Sequence, residues 1–167
     1  MELHIGSHRW EHRAPDWPAA AVAGFVAGAV LMVLELLWTS LILDISPWGT
    51  SHKIAAILMG ADALQSNGFS IGIVAVALAI HYVLGIVFGM LLCTVVAHMH
   101  MDSSVGLVLL AGAVFGLALY VFNFYGMTLF LPWFVDMRGL ATLVAHLAFG
   151  MTAAAMYWKL KPPEAER

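Results

Sequence analysis

Glu35, His81, Asn123 and His146 could each do chemistry, and each interrupts a run of Ala, Val, Leu, Ile and Phe. An imidazole can hold a metal or a haem iron, or pass a proton. A carboxyl can bind a cation, and an amide can bridge its neighbours. In lipid, ionisable groups are costly, so they face a partner or a wet cavity. His81 also opens the stretch HYVLGIVFG, which sets Gly85 and Gly89 on the same helical face. Glycines four apart let a second helix approach closely.

Three chemistries fit these residues. In the structural one, the four side chains hydrogen-bond one another and fix helix register. In the second, His81 and His146 ligate b-type haem, or two His and a carboxylate hold a transition metal. In the third, Glu35 and the imidazoles carry protons or a cation in a hydrated cavity.

Other polar clusters are weaker. His4, His8 and His12 share a helical face, which suits a metal or an interfacial segment flanked by Trp10 and Trp17. His98 and His100 alternate with Met99 and Met101, a copper-like pattern that also reads as a polar turn. Asp136 and Arg138 read as solvated charges at the membrane edge. No nucleotide-binding glycine loop, serine nucleophile elbow or HExxH motif is present, so a non-enzymatic role is expected.

The elements that hold these residues follow from composition. Of 167 residues, 62% are hydrophobic and 10% charged, against about 25% charged in a soluble domain. Four apolar runs are long enough to span a bilayer: Ala19–Leu43, Ile71–Val96, Val105–Leu131 and Leu140–Trp158. The expected fold is an all-α integral membrane four-helix bundle over residues 19–158. A polar lead (1–18) precedes it, and a charged tail (159–167) follows. Lys53–Leu64 is apolar but too short to cross, so it reads as an interfacial or re-entrant helix. The net charge of −3 comes with no basic patch, and nucleic-acid binding has no support. Cys93, the single cysteine, lies inside a span and reads as a packing residue.

The spans repeat in pairs. Gly24, Gly28 and Glu35 have the mutual spacing of Gly112, Gly116 and Asn123, and both sets precede a Pro-Trp pair. His81, Gly85 and Gly89 match His146, Gly150 and Ala154. Two copies of a two-helix unit are expected, with a longer loop inside the first. At ~1.5 Å per residue, all four polar residues lie roughly 9–15 Å from the same end of their spans. They form one polar layer. The glycines are expected to pack helices, within the chain or against a second subunit.

Arg9, Arg13, Lys159, Lys161 and Arg167 flank the ends on one side, against Lys53 and Arg138 on the other. The positive-inside rule then puts both termini in the cytoplasm.

The segments LMGADAL, HYVLGIVFG, ALYVFNFYG, LPWF, Arg138-Gly139 and AHLAFG resemble a family of small four-span bacterial inner-membrane proteins. Some of these are labelled sodium:proline symporter-like. The resemblance runs from Lys53 to Trp158 and implies a four-span fold in the inner membrane. It brings no functional residues. A symporter of that kind has far more than four helices, so this chain could not build its core alone. The expected role is an accessory or structural subunit of a larger membrane complex, or a homo-oligomer in the bilayer.

Overall fold

The computed structural model describes residues 14–44, 46–99, 101 and 104–161. His4, His8, His12, Trp10, His100 and most of the charged tail lie outside the described residues. The described chain is helical throughout, with four helices long and apolar enough to cross a membrane. It is an all-α membrane helical bundle.

Helix α1 (Trp17–Leu37) begins where Asp16 caps it: the carboxylate accepts from the Ala19 N–H at 2.9 Å, and Pro18 sits in the first turn. A carboxylate there satisfies an orphan donor, and proline loses nothing because its missing N–H has no helical partner. Past Leu37 the helix widens into a π turn (Trp38–Ile42). Within it, the Thr39 hydroxyl donates to the Glu35 carbonyl. Asp44, with φ at +52°, turns the chain out of the helix, a conformation Asp tolerates better than most residues.

Helix α2 (Trp48–Met59) starts earlier than the Lys53 expected from hydropathy. Pro47 at its cap already has a helical φ of −67°, so the helix nucleates at the proline. At 12 residues it is about 18 Å long, too short to cross. Gly60, at φ +80°, stops it, and a 3-10 turn (Ala61–Gln65) leads back towards the bundle.

Helix α3 (Ile71–His98) and helix α4 (Val105–Val121) form the second and third spans. Like α1, α4 runs on into a π turn (Phe122–Gly126), followed by 3-10 turns at Met127–Leu129 and Pro132–Met137. Helix α5 (Leu140–Leu160) closes the bundle. The first and third spans thus both run into a π turn, and in each half a Pro-Trp pair then opens a short helix, α2 or the Pro132–Met137 turn. The twofold pattern in the sequence has a structural counterpart.

Helix α1 lies between α3 and α5, and α4 packs on α5; α3 and α4 barely meet. Small residues set these crossings. A methyl group at Gly24 would fall 2.5 Å from the Gly85 carbonyl oxygen and 3.0 Å from the Ile86 Cα. In the second half, a methyl at Gly112 would fall 2.9 Å from the Ala154 Cβ, and one at Gly150 would strike the Gly112 carbonyl. Backbone lies against backbone, so only glycine fits without moving a helix. The tightest packing is at the end holding the start of α1 and the finish of α5. There Ala20, Ala23, Cys93, Val96, Ala153 and Tyr157 are fully buried, and the Tyr157 hydroxyl receives the Asp16 N–H at 3.2 Å. Towards the other end the helices part.

Candidate functional site

Where the helices part, they leave a half-open cavity of about 410 Å³. Ligand sites typically fall between about 300 and 1,000 Å³. Each of the four spans brings a titratable or amide side chain to it: Glu35 from α1, His81 from α3, Asn123 from the second π turn, and His146 from α5; Thr39, Thr50, Ser51 and Thr142 add hydroxyls. The rest of the wall is mostly apolar and aromatic.

The four polar residues do not form a single ring of mutual bonds. The His81 Nε2–H donates to the Gly28 carbonyl at 2.8 Å, which leaves Nδ1 as an acceptor. His146, buried in α5, donates from Nδ1 to the Thr142 carbonyl at 2.8 Å. That fixes its Nε2 as an acceptor, and the Asn123 amide donates to it at 3.3 Å. Tyr120 and Phe124 meet the His146 ring edge-on. The Glu35 carboxyl has the Thr142 side chain as its hydrogen-bonding neighbour. Asn123 and His146 are thus a direct pair, while Glu35 and His81 are each held by another group. Among the described residues, no buried side-chain nitrogen or oxygen lacks a partner.

Two short elements cover this site. Helix α2 turns Trp48, Ser51 and Ile54 towards the cavity and buries His52, Ala55 and Ala56 on another face. The His52 ring holds the loop behind it: Nδ1 lies 2.6 Å from the Ala63 carbonyl oxygen and Nε2 lies 2.9 Å from that of Gly68. Carbonyl oxygens only accept, so a neutral ring meets one of them and a doubly protonated ring meets both. The second cover is the Pro132–Met137 turn. Its Trp133 indole donates to the Lys53 carbonyl at 3.0 Å, and Asp136 lies 3.9 Å from the Lys53 ammonium.

Arg138 is not simply a solvated charge. Its Nε–H donates to the Phe124 carbonyl at 2.6 Å, and its guanidinium lies 4.2 Å over the Tyr125 ring. A π turn loosens helix hydrogen bonding, so its carbonyls need outside donors. Arg138 supplies one and holds the turn that carries Asn123. Sequence reasoning missed Thr142, His52 and this use of Arg138. The Arg-Gly pair next to a span was a signal for the last, since a guanidinium there can reach back to a helix end.

The ligation readings fit less well. The Nε2 of His81 and both nitrogens of His146 are engaged within the protein, so iron or metal would have to break those bonds. Among the described residues, no three His, Cys, Asp or Glu side chains converge as metal ligands. His98 is exposed, with Nδ1 3.1 Å from the Thr94 carbonyl of its own helix. Gly28 and Gly85 line the cavity, while Gly24, Gly89, Gly112, Gly116 and Gly150 lie buried at the helix crossings.

The arrangement can bind a largely apolar molecule and satisfy one polar end of it. No family model matches the chain, and no similar curated protein or solved structure was found.

Proposed function

We propose that this chain is a non-enzymatic component of the bacterial inner membrane that holds a lipophilic small molecule in its covered cavity, as an accessory subunit of a larger membrane assembly. One observation carries the reading: the four spans bring Glu35, His81, Asn123 and His146 to a single cavity with mostly apolar walls. Polar groups that served register alone could pair off inside a filled core. Here they border a space of ligand size beneath two covering elements.

The closed end of the bundle favours binding over conduction. Fully buried Ala23, Val96 and Ala153 fill the interior below the cavity. A bound molecule enters and leaves from one side. The balance of Lys and Arg supports cytoplasmic termini, which puts the cavity in the outer half of the bilayer. The likeness to small four-span inner-membrane proteins supports the same location.

Photolabelling in lipid nanodiscs tests the reading. The probe is a neutral benzophenone-alkyl ether, mapped by mass spectrometry. Labels are expected on cavity residues such as Met32, Met127 and Phe149. Labels confined to outward residues such as Leu41 and Leu110 would overturn it.

A further inference from the structure

We infer that the cavity selects a lipophilic primary amine and seats its ammonium group on Glu35; this rests on the binding function proposed above and specifies the ligand's polar end. Three observations point the same way.

First, Glu35 is the only Asp or Glu within the four spans, and among the described residues no Lys or Arg lines the cavity. Lys53, within the covering helix α2, lies 3.9 Å from Asp136 instead. The Glu35 carboxyl's polar neighbour on α5 is the neutral Thr142 side chain. A carboxylate among apolar walls is costly unless an opposite charge joins it.

Second, the four polar side chains keep acceptors free after internal bonding. The His81 proton is spent on the Gly28 carbonyl and the His146 proton on the Thr142 carbonyl. One Asn123 amide N–H is directed at His146. What remains on these residues is the Glu35 carboxyl, Nδ1 of His81, and Oδ1 and the second N–H of Asn123; the Thr50, Ser51 and Thr142 hydroxyls on the same wall can accept as well as donate. Several acceptors around one carboxyl complement a group with several N–H bonds. An alkylammonium offers three donors and no acceptor, as the lysine head group does. A carboxylate or phosphate head would meet acceptors and like charge.

Third, Trp48, Phe88, Phe122, Phe124 and Phe149 line the same space. Aromatic rings accommodate an apolar body and also attract a cation over their faces. The cavity therefore suits both ends of the molecule.

The test compares two photoprobes with the same benzophenone and alkyl chain, one ending in a primary ammonium and one in a neutral ether. Zwitterionic phosphatidylcholine nanodiscs remove attraction by lipid charge. In the unmodified protein the ammonium probe should label cavity residues about tenfold more than the ether, the worth of a hydrogen bond to a charged group. Glu35→Gln keeps the shape and should bring that ratio to about one. Glu35→Asp should retain part of the preference. Equal labelling by both probes in the unmodified protein would overturn the amine assignment and leave the binding function standing. A preference that survives Glu35→Gln would do the same. Failure of both probes to label the cavity would overturn the binding function itself.

Discussion

At the scale of single residues, His81 and His146 occupy matching places in the repeat but do different work. His146 spends both nitrogens, one on its own helix and one on Asn123 of the second π turn. His81 spends one, on a backbone carbonyl of α1. The difference follows from the residue opposite. Where the second half has Asn123, the first has Glu35, which turns to Thr142 instead. Asn123 and His146 should therefore be energetically coupled, and Asn123 and His81 should not. A double-mutant cycle with Asn123→Ala and His146→Ala should give a coupling of about 0.6–1.7 kcal/mol, the range for hydrogen bonds between membrane helices. The cycle with His81→Ala should be additive within about 0.5 kcal/mol. Unfolding in mixed micelles measures both, and equal coupling in the two cycles would refute the pairing.

At the scale of elements, the two covers are latched by one strong contact and one weak one. The Trp133 indole bond to the Lys53 carbonyl is partly buried and reaches across 80 residues. The Lys53–Asp136 pair is long and its acid is 68% exposed, so solvent screens it and it contributes little. Trp133→Phe keeps the ring and loses the donor. It should speed hydrogen exchange of the α2 amides by roughly three- to tenfold, equivalent to about 0.5–1.5 kcal/mol. Lys53→Met should leave exchange nearly unchanged. If Lys53→Met proved the more damaging, the latch would be ionic instead.

These elements also show how far the sequence could be read. The four spans were legible because lipid demands long apolar runs, and the run limits match α3 and α5 within two residues at each end. The repeat was legible because glycines and polar residues kept their spacing. Of the covers, the short non-crossing helix was legible as an apolar stretch too brief to span, but its start and the second cover were not. Helix α2 begins at a proline, where hydropathy has no signal. The Pro132–Met137 turn has too few residues for any periodicity to register. Thr142 resembles any other threonine in a span, and its place beside Glu35 depends on how α1 and α5 cross. The convergence of four side chains was inferred from equal depth. The empty volume between them depends on the angle at which the helices part, which residue spacing does not encode.

At the scale of the whole molecule, the bundle is closed at one end and hollow at the other. Alanines and glycines bring α1, α3 and α5 together near the termini, while the π turns and the covers hold the hollow end. Which leaflet the hollow end occupies decides where a ligand comes from. The positive-inside rule, applied to five basic residues on the terminal side against two on the other, predicts the hollow end outward. Two exposed serines on opposite sides of the bundle can report this. Ser66 lies in the loop behind α2, and Ser104 caps the start of α4. The native Cys93 is fully buried and should give little background with a membrane-impermeant maleimide. In intact spheroplasts, Ser66→Cys should therefore label at once, and Ser104→Cys only after permeabilisation. The opposite result would invert the molecule and open the cavity to the cytoplasmic leaflet. It would leave the chemistry of Glu35 untouched but make the ligand a cytoplasmic one. Labelling of both sites in intact cells would mean mixed insertion, which a five-to-two bias in basic residues should prevent.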